Sequence, residues 1–153
     1  MIKVAIDTNV LLYAEGLDDA LRRQTVLELL RRMPQGTLTA CTVVLGEFVH
    51  VLTHRGKRSA SEARRAVSEI CDAIPPSVTS VAAFAMALNL AVDHRLGIWD
   101  ALILASAAES GCRLLLSEDY QEGFSWNGVT VTSPFRSPRH PLLEAMLLKD
   151  GEY

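Results

Sequence analysis

Hydrophobic and polar positions follow two different periods along this chain, and the changes of period divide it into helices and strands. Short apolar runs rich in β-branched residues predict buried strands, whereas apolar residues that recur every three or four positions predict amphipathic helices. The strands are expected at residues 2–6, 37–41, 78–81, 112–116 and 129–132. The helices are expected at residues 8–14, 18–33, 42–52, 59–73, 82–95, 100–109 and 141–149.

Strands that alternate with helices predict a parallel β-sheet with helices on both faces, which is an α/β fold. A length of 153 residues fits one domain. In sheets of this kind, ligands bind beyond the carboxyl ends of the strands. The most apolar stretch, residues 81–92, contains Asn89 and is shorter than the about 20 residues that span a bilayer. We therefore expect no membrane association.

Composition narrows the class of protein further. The net charge of −3 argues against a protein that binds nucleic acid by electrostatics alone, but not against an enzyme that holds phosphates through metal ions. The three cysteines are far apart and form no C-x-x-C pair, so we interpret them as buried free thiols. The first residues lack the basic and apolar pattern of a signal peptide. These features favour a cytoplasmic location.

Acidic residues occupy the positions where such a sheet would place a functional site. Asp7 directly follows the first strand, and Asp119 lies just beyond the fourth. Asp100 stands at the start of the helix that leads into the fourth strand, and Glu47 lies within an apolar helix. Carboxylates held close together repel one another, and a divalent cation such as Mg²⁺ relieves this repulsion. Metal ions of this kind also promote phosphodiester cleavage, so the pattern predicts a metal-dependent hydrolase.

Each acid also has a purely structural interpretation. Asp7 and Asp100 could be helix N-caps, and Asp119 could be a turn residue. Glu47 could face solvent at the edge of its helix, although a glutamate with apolar neighbours on both sides would need a partner if buried. Two glutamates near Asp119 could compete for its role, namely Glu118 and Glu122.

Four motifs in a fixed order resemble those of the PIN-domain ribonucleases, in particular the toxin-like, VapC-type bacterial members. They are IDTNVLLYA at 6–14, EFVHVL at 47–52, IWDALILASA at 98–107 and LSEDYQEG at 116–123. The segment GVTVTSPF at 128–135 is similar to the closing strand of the family. The resemblance implies a PIN-like α/β/α sandwich with a five-stranded parallel sheet in the order 3-2-1-4-5. Residues 1–135 would form the nuclease domain, and 136–153 a C-terminal extension of that domain.

The same resemblance implies roles for individual residues. Asp7, Asp100, Asp119 and Glu47 would be the catalytic acids that bind Mg²⁺, or Mn²⁺ in its place. Asn9 would be a polar neighbour that fixes Asp7, because residues around the ligands orient them. Ser117 would hydrogen-bond near the metal or the scissile phosphate. The implied function is Mg²⁺-dependent endoribonuclease cleavage of RNA by the toxin of a type II toxin–antitoxin pair, with a cognate antitoxin and a homodimer as expected partners.

The residues that would contact RNA are less clearly marked. Arg55, Lys57 and Arg58 form a basic loop that could bind phosphates, although a charged run is more often a solvated surface. His50 and His54 are four residues apart but do not form a His-Glu-x-x-His motif, so we interpret them as surface or partner residues.

Other interpretations of the sequence remain open. Trp99 is interpreted as a packing residue rather than a base-stacking one. A non-catalytic PIN-fold module that binds RNA or protein is the main functional alternative. A phosphatase with Asp7 as the covalent nucleophile is less favoured, because such enzymes usually carry a second aspartate where this chain has Asn9.

Overall fold

The computed structural model describes residues 1–148, over which strands and helices alternate as the sequence predicts. The strands are β1 (Lys3–Ile6), β2 (Leu38–Cys41), β3 (Pro76–Ser77), β4 (Cys112–Leu116), β5 (Ser125–Trp126) and β6 (Val129–Thr132). The helices are α1 (Thr8–Ala14), α2 (Ala20–Arg32), α3 (Thr42–His54), α4 (Ala60–Ala73), α5 (Val81–His94), α6 (Ile98–Glu109) and α7 (Pro141–Leu147). The α/β fold class is therefore confirmed.

The strands form a sheet in the order β3-β2-β1-β4-β6-β5. All neighbours from β3 to β6 are parallel, and the predicted fifth strand is β6, so the predicted parallel order holds. The prediction missed β5, which pairs antiparallel with β6 at the sheet edge. Asn127 and Gly128 link this hairpin with φ values of 48° and 83°. Such values at both turn positions are favoured by Asn-Gly, a signal that was present in the sequence.

Two element boundaries differ from the prediction. The third strand is not at residues 78–81, because Val78 is 73% exposed and Ser80 caps α5 by accepting a hydrogen bond from the backbone of Ala83. The strand lies two residues earlier and is very short. Helix α6 begins at Ile98 after Gly97, so Asp100 lies within the first turn. The interpretation of Asp100 as an N-cap is therefore wrong.

The helix starts at α2 and α4 follow from their capping residues. Asp19, rather than Asp18, caps α2 by accepting hydrogen bonds from two backbone N–H groups. Ser59 and Glu62 form a reciprocal capping box at the start of α4. Because caps of this kind satisfy backbone donors that have no partner within the helix, they fix where each helix begins.

β1 lies at the centre of the sheet between β2 and β4, and its last three residues are buried. At the other end of the described chain, α7 adds Leu143, Met146 and Leu147 to the hydrophobic core. The predicted last residue of this helix, Lys149, lies outside the described residues, as does the rest of the segment up to residue 153. The division of the chain at residue 135 stays a prediction.

The three cysteines form no disulfide bond within the described residues. Cys41, Cys71 and Cys112 are free, and Cys71 is only half-buried. Burial raises the pKa of the Cys112 thiol to about 11, so this thiol is expected to be inert.

Within residues 1–148, no helix has the length and apolarity needed to cross a bilayer.

Candidate active site

Asp7 occupies the point where the central strand ends and α1 begins. Its backbone N–H donates to the carbonyl of Leu116 at 3.0 Å, which brings the ends of β1 and β4 together. The side chain is buried, with 2% of the residue exposed. One carboxylate oxygen accepts from the Thr8 backbone at 2.7 Å, and the other accepts from the Ser117 hydroxyl at 2.6 Å. Asp7 is thus an N-cap and a member of the acidic cluster at once.

Ser117 connects three parts of the site. Besides donating to Asp7, its hydroxyl oxygen accepts from the side-chain amide of Asn9 at 3.3 Å and from the backbone N–H of Asp119 at 3.0 Å. Asn9 therefore reaches Asp7 through Ser117 rather than directly. The amide oxygen of Asn9 is buried and has no hydrogen-bond partner among the described residues. An oxygen acceptor in this state suits a cation or a water molecule.

Glu47 reaches the site from α3 and is half-buried. Its carboxylate accepts a hydrogen bond from the Thr8 hydroxyl at 3.0 Å. Thr8 thus contacts both acids, through its backbone to Asp7 and through its side chain to Glu47. The sequence analysis did not single out Thr8, although its place next to Asp7 in the first motif was a usable signal.

The pKa values show that the acids interact. Burial raises the pKa of Asp7 to about 7, the hydrogen bonds from Ser117 and Thr8 oppose this, and the charges of Asp119 and Asp100 raise it further. Burial also raises the pKa of Asp100, with contributions from Asp119 and Glu47. The charges of Asp100 and Asp119 therefore act on Asp7, and those of Asp119 and Glu47 act on Asp100.

Asp119 is exposed, and its two possible competitors are engaged elsewhere. Glu118 forms an ion pair with Arg22 of α2. Glu122 accepts from the Thr132 hydroxyl at 2.6 Å and from the Ser133 backbone at 2.7 Å. Asp119 is therefore the acid of this segment whose charge acts on Asp7 and Asp100.

Tyr120 is a further site residue that the sequence analysis did not identify. Its hydroxyl donates to the backbone carbonyl of Asp100 at 2.7 Å, which connects the segment after β4 to the first turn of α6. Burial raises the pKa of this phenol, and the charges of Asp7, Asp100 and Asp119 add to the effect. Tyr120 thus stays neutral and acts as a hydrogen-bond donor that holds the Asp100 turn.

Two depressions meet at the acidic cluster. The first has a volume of about 470 Å³, and Glu47, His50 and Asp119 are among its lining residues. The second has a volume of about 690 Å³ and is lined in part by Glu47, Trp99 and Asp100. Glu47, His50 and Val51 border both depressions, so Glu47 lies where they join and Asp100 and Asp119 line one depression each.

The donor set fits a hard divalent cation, although the ligands are not gathered into a closed cage. In residues 1–148, no three carboxylate, imidazole or thiol side chains converge as a ready-made ion site. Mg²⁺ usually binds through only one or two carboxylates and keeps several waters. Carboxylates that raise one another's pKa, together with the orphaned oxygen of Asn9, are what such an ion would satisfy.

Acidic side chains form ion pairs with the basic loop that was predicted to contact RNA. Arg55 pairs with Asp18 at 2.9 Å. Arg58 pairs with the Glu15 carboxylate and also donates to the Glu15 carbonyl at 3.0 Å. Lys57 adopts a φ of 53° in the same loop. The two arginines therefore connect the α3–α4 loop to the α1–α2 loop, and RNA binding by these residues stays a prediction.

Comparison with known proteins identifies the family of this chain. The model of the PIN domain family matches residues 4–125, which is well over half of the chain. The chain therefore belongs to the PIN-domain family, as the four motifs predicted. A search of curated protein sequences found no match.

Solved structures share the fold at low sequence identity. A toxin–antitoxin complex from Klebsiella pneumoniae has a TM-score of 0.65 and 17% identity, covering 87% of this chain and 98% of that one. VapC20 from Mycobacterium tuberculosis, described as a sarcin–ricin loop cleaving toxin, has a TM-score of 0.63 and 20% identity, covering 76% and 90%. VapBC2 from Rickettsia felis, bound to a promoter DNA fragment, has a TM-score of 0.63 and 16% identity, covering 87% and 98%.

Proposed function

We propose that this protein is a Mg²⁺-dependent endoribonuclease that hydrolyses RNA phosphodiester bonds. The observation that carries the proposal is the acidic cluster at the carboxyl ends of β1 and β4, where burial, with a smaller contribution from neighbouring carboxylates, raises the pKa of Asp7 to about 7. A buried carboxylate with acidic neighbours needs a positive partner to stay ionised. The family membership and the description of one structural neighbour as a sarcin–ricin loop cleaving toxin support the same chemistry.

Each residue of the cluster has a role in this proposal. Asp7, Asp100 and Asp119 would bind the ion directly, and Glu47 directly or through water. When bound, Mg²⁺ supplies charge that stabilises the phosphate and promotes attack by water. Ser117 and Thr8 hold the carboxylates of Asp7 and Glu47 in place through their hydroxyl groups. Attack by water would leave a 5′-phosphate and a 3′-hydroxyl.

The direct test is RNA cleavage by the Asp7→Asn variant. Asparagine is a good N-cap and is nearly isosteric, so the fold should persist while ion binding is lost. We expect no Mg²⁺-dependent cleavage above background. Asp72→Asn, an exposed acid on α4, is the matched control and should cleave like the unmodified protein. Normal cleavage by a folded Asp7→Asn variant would refute the assignment.

The second candidate function is a non-catalytic PIN-fold module, in which the acids would form an interaction surface or a regulatory metal site. Calorimetric titration with Mg²⁺ or Mn²⁺, followed by an assay on a mixed RNA pool, separates the two functions. Ion binding without cleavage of any RNA in the pool would favour the module.

We further propose that the protein is the toxin of a type II toxin–antitoxin pair that acts in the cytoplasm. Several of the structural neighbours are described as toxin–antitoxin complexes, which supports an antitoxin as partner. Induced expression should arrest growth, and co-expression of the adjacent small reading frame should restore it. If growth arrest depended on Asp7 but no neighbouring gene relieved it, the toxin–antitoxin proposal would be refuted. The ribonuclease proposal would stand.

We also propose a homodimer, for which α5 offers a surface. Its outward stripe is apolar and exposed, with Val81 86%, Phe84 47%, Leu88 47% and Val92 79% exposed. The residues recur three or four positions apart and so share one helix face. An exposed apolar stripe of this length is typical of an interface between protein chains.

A further inference from the structure

The first turn of α6 carries Asp100 and lies at an end of the helix that has no side-chain cap. Gly97, the N-cap residue, has no side chain with which to accept a capping hydrogen bond. Ile98 packs against the core, but Trp99 is 63% exposed, so the interpretation of Trp99 as a packing residue is wrong. The position of the Asp100 carboxylate therefore depends on contacts from other elements.

The segment after β4 supplies such a contact through Tyr120. Its hydroxyl donates to the Asp100 carbonyl at 2.7 Å, and its ring packs against the hydrophobic core. Within an α-helix that carbonyl also accepts from the backbone N–H four residues later, and a carbonyl oxygen can accept two hydrogen bonds. The Tyr120 bond is therefore added to the bonding of the helix, and its effect is to tie the Asp100 turn to another part of the chain.

Asp119 is exposed and is held in place through its neighbours in the sequence. Its backbone N–H donates to the Ser117 hydroxyl oxygen at 3.0 Å. Glu118, on one side of it, forms an ion pair with an arginine of α2. Tyr120, on the other side, makes the bond to Asp100. The Asp119 carboxylate therefore owes its position to contacts made by the residues around it.

We propose that Tyr120 is a positioning residue that fixes the separation of the Asp100 and Asp119 carboxylates and thereby makes the site selective for Mg²⁺ over the larger Ca²⁺. This inference rests on the proposed Mg²⁺-dependent function and names what sets the ion preference of that site. Tyr120 is covalently joined to Asp119 and hydrogen-bonded to Asp100, so one residue bridges two proposed ligands. Besides burial, the charge of Asp119 raises the pKa of Asp100, so the bridged carboxylates lie close enough to interact.

The two ions differ in the geometry that they require of a site. Mg²⁺ demands a nearly octahedral arrangement with oxygens at about 2.0–2.1 Å, whereas Ca²⁺ accepts about 6–8 oxygens at about 2.3–2.6 Å in flexible arrangements. Selectivity between them therefore depends on how rigidly the carboxylates are held. Because Asp119 is exposed, its carboxylate gains freedom to move when the Tyr120 bond is lost. Such freedom weakens Mg²⁺ binding more than Ca²⁺ binding.

The test is Tyr120→Phe, which removes the hydroxyl and keeps the ring that packs against the core. Ion binding is measured through the electron paramagnetic resonance signal of free Mn²⁺, which falls as Mn²⁺ binds and returns as Mg²⁺ or Ca²⁺ displaces it. We expect the dissociation constant for Mg²⁺ to rise about 10-fold in the variant, at the lower end of the range found for residues that orient ligands. The dissociation constant for Ca²⁺ should change much less, so the preference for Mg²⁺ should fall.

Thr39→Val is the matched control. The Thr39 hydroxyl donates to the Pro75 carbonyl at 2.8 Å and so also joins two parts of the chain, but Thr39 lies on β2 and lines neither depression. Both changes remove one hydroxyl–carbonyl hydrogen bond and should lower the free energy of unfolding, which chemical denaturation in EDTA measures. Only Tyr120→Phe should change the ratio of the dissociation constants for Mg²⁺ and Ca²⁺.

The inference and the proposed function can fail separately. If the unmodified protein bound Mg²⁺ but a folded Tyr120→Phe variant kept the same ratio of dissociation constants, the role of Tyr120 alone would be refuted. An equal change of this ratio in Thr39→Val would refute that role too, because lost stability would then explain it. If the unmodified protein bound neither Mn²⁺ nor Mg²⁺, the metal-dependent function and this inference would both be wrong. Mg²⁺ binding without cleavage of RNA by the unmodified protein would refute the ribonuclease function and leave the ion site in place.

Discussion

At the scale of single residues, Asp7 is the group on which most of the site depends. It caps α1, joins β1 to the segment after β4 and is acted on by the charges of Asp100 and Asp119. Its exposed fraction of 2% means that its charge receives little help from water. The protonation of this one side chain should therefore be visible in the stability of the whole domain.

Without divalent ions, we expect the free energy of unfolding to fall as the pH rises. The Asp7 carboxyl has a pKa of about 7 in the folded chain and about 3.8 when unfolded, so the folded state binds more protons between these values. Unfolding then releases a proton, and stability is greatest below pH 4 and lowest above pH 7 as far as this group is concerned. The upper limit of the loss is about 4 kcal/mol, at 1.36 kcal/mol per pKa unit.

Chemical denaturation in EDTA at a series of pH values measures this slope. Asp7→Asn should remove most of it, and Asp72→Asn should leave it unchanged. Mg²⁺ should stabilise the unmodified protein more at pH 8 than at pH 5, because binding requires the ionised carboxylate. An identical slope in Asp7→Asn would show that Asp7 does not titrate in this range.

Ser117 should matter for activity beyond its contribution to stability. Ser117→Ala removes the donor to Asp7 and leaves Asn9 and the Asp119 backbone without their acceptor. We expect a loss of about 1–3 kcal/mol in the free energy of unfolding together with a large fall in kcat. Ser106→Ala is the matched control, since Ser106 is about equally buried but its hydroxyl contacts the Leu102 carbonyl and the Thr79 hydroxyl, away from the acids. If both variants lost activity alike, Ser117 would have only a structural role.

At the scale of elements, the segment after β4 is held by α2. Arg22 pairs with Glu118, and its guanidinium lies 4.6 Å from the Phe135 ring centroid and 5.4 Å from that of Tyr13. Glu118 immediately precedes Asp119. Arg22 therefore positions a proposed metal ligand without touching it, by fixing the backbone of the neighbouring residue.

Arg22→Ala should raise the Mg²⁺ concentration needed for half-maximal cleavage by about 10-fold, within the range found for residues that orient ligands. The loss in stability should stay below about 1 kcal/mol, because the pair is partly exposed. Arg31→Ala, an exposed residue on the same helix, should change neither quantity. If combining Arg22→Glu with Glu118→Arg restored the normal Mg²⁺ requirement, the positioning role of this ion pair would be confirmed. An unchanged Mg²⁺ requirement in Arg22→Ala would exclude that role.

The elements also show what the sequence could and could not reveal. β1 and α1 were predicted correctly, and the acidic motifs were visible, because each depends only on residues that are neighbours in the sequence. The third strand was misplaced because Val78 and Val81 look like strand residues but are exposed, and only the Ser80 cap reveals the start of α5. The bond from Ser117 to Asp7 joins residues 110 positions apart, and the bond from Thr8 to Glu47 joins residues 39 apart. Contacts of this range depend on the folded sheet and leave no periodic signal.

At the scale of the whole molecule, the helices divide into those that serve the site and those that face away from it. α1, α3 and α6 carry Thr8, Glu47 and Asp100 into the cluster. α5 packs on α6 yet leaves its apolar stripe exposed. A second copy that covered this stripe would therefore pack against α5, which in turn packs on α6, the helix that carries Asp100.

The homodimer can be tested by placing charge on that stripe. In light scattering after size exclusion, the unmodified chain of 16.7 kDa should show twice its monomer mass across a range of concentrations. The double change Phe84→Glu and Leu88→Glu should yield a folded monomer, because burying two unpaired carboxylates in an interface costs several kcal/mol. Leu21→Glu is the control, since Leu21 is a single exposed leucine on α2 that is 72% exposed and should not alter assembly. A monomeric unmodified protein at high concentration, or a stripe variant that remains dimeric, would show that α5 does not form the interface.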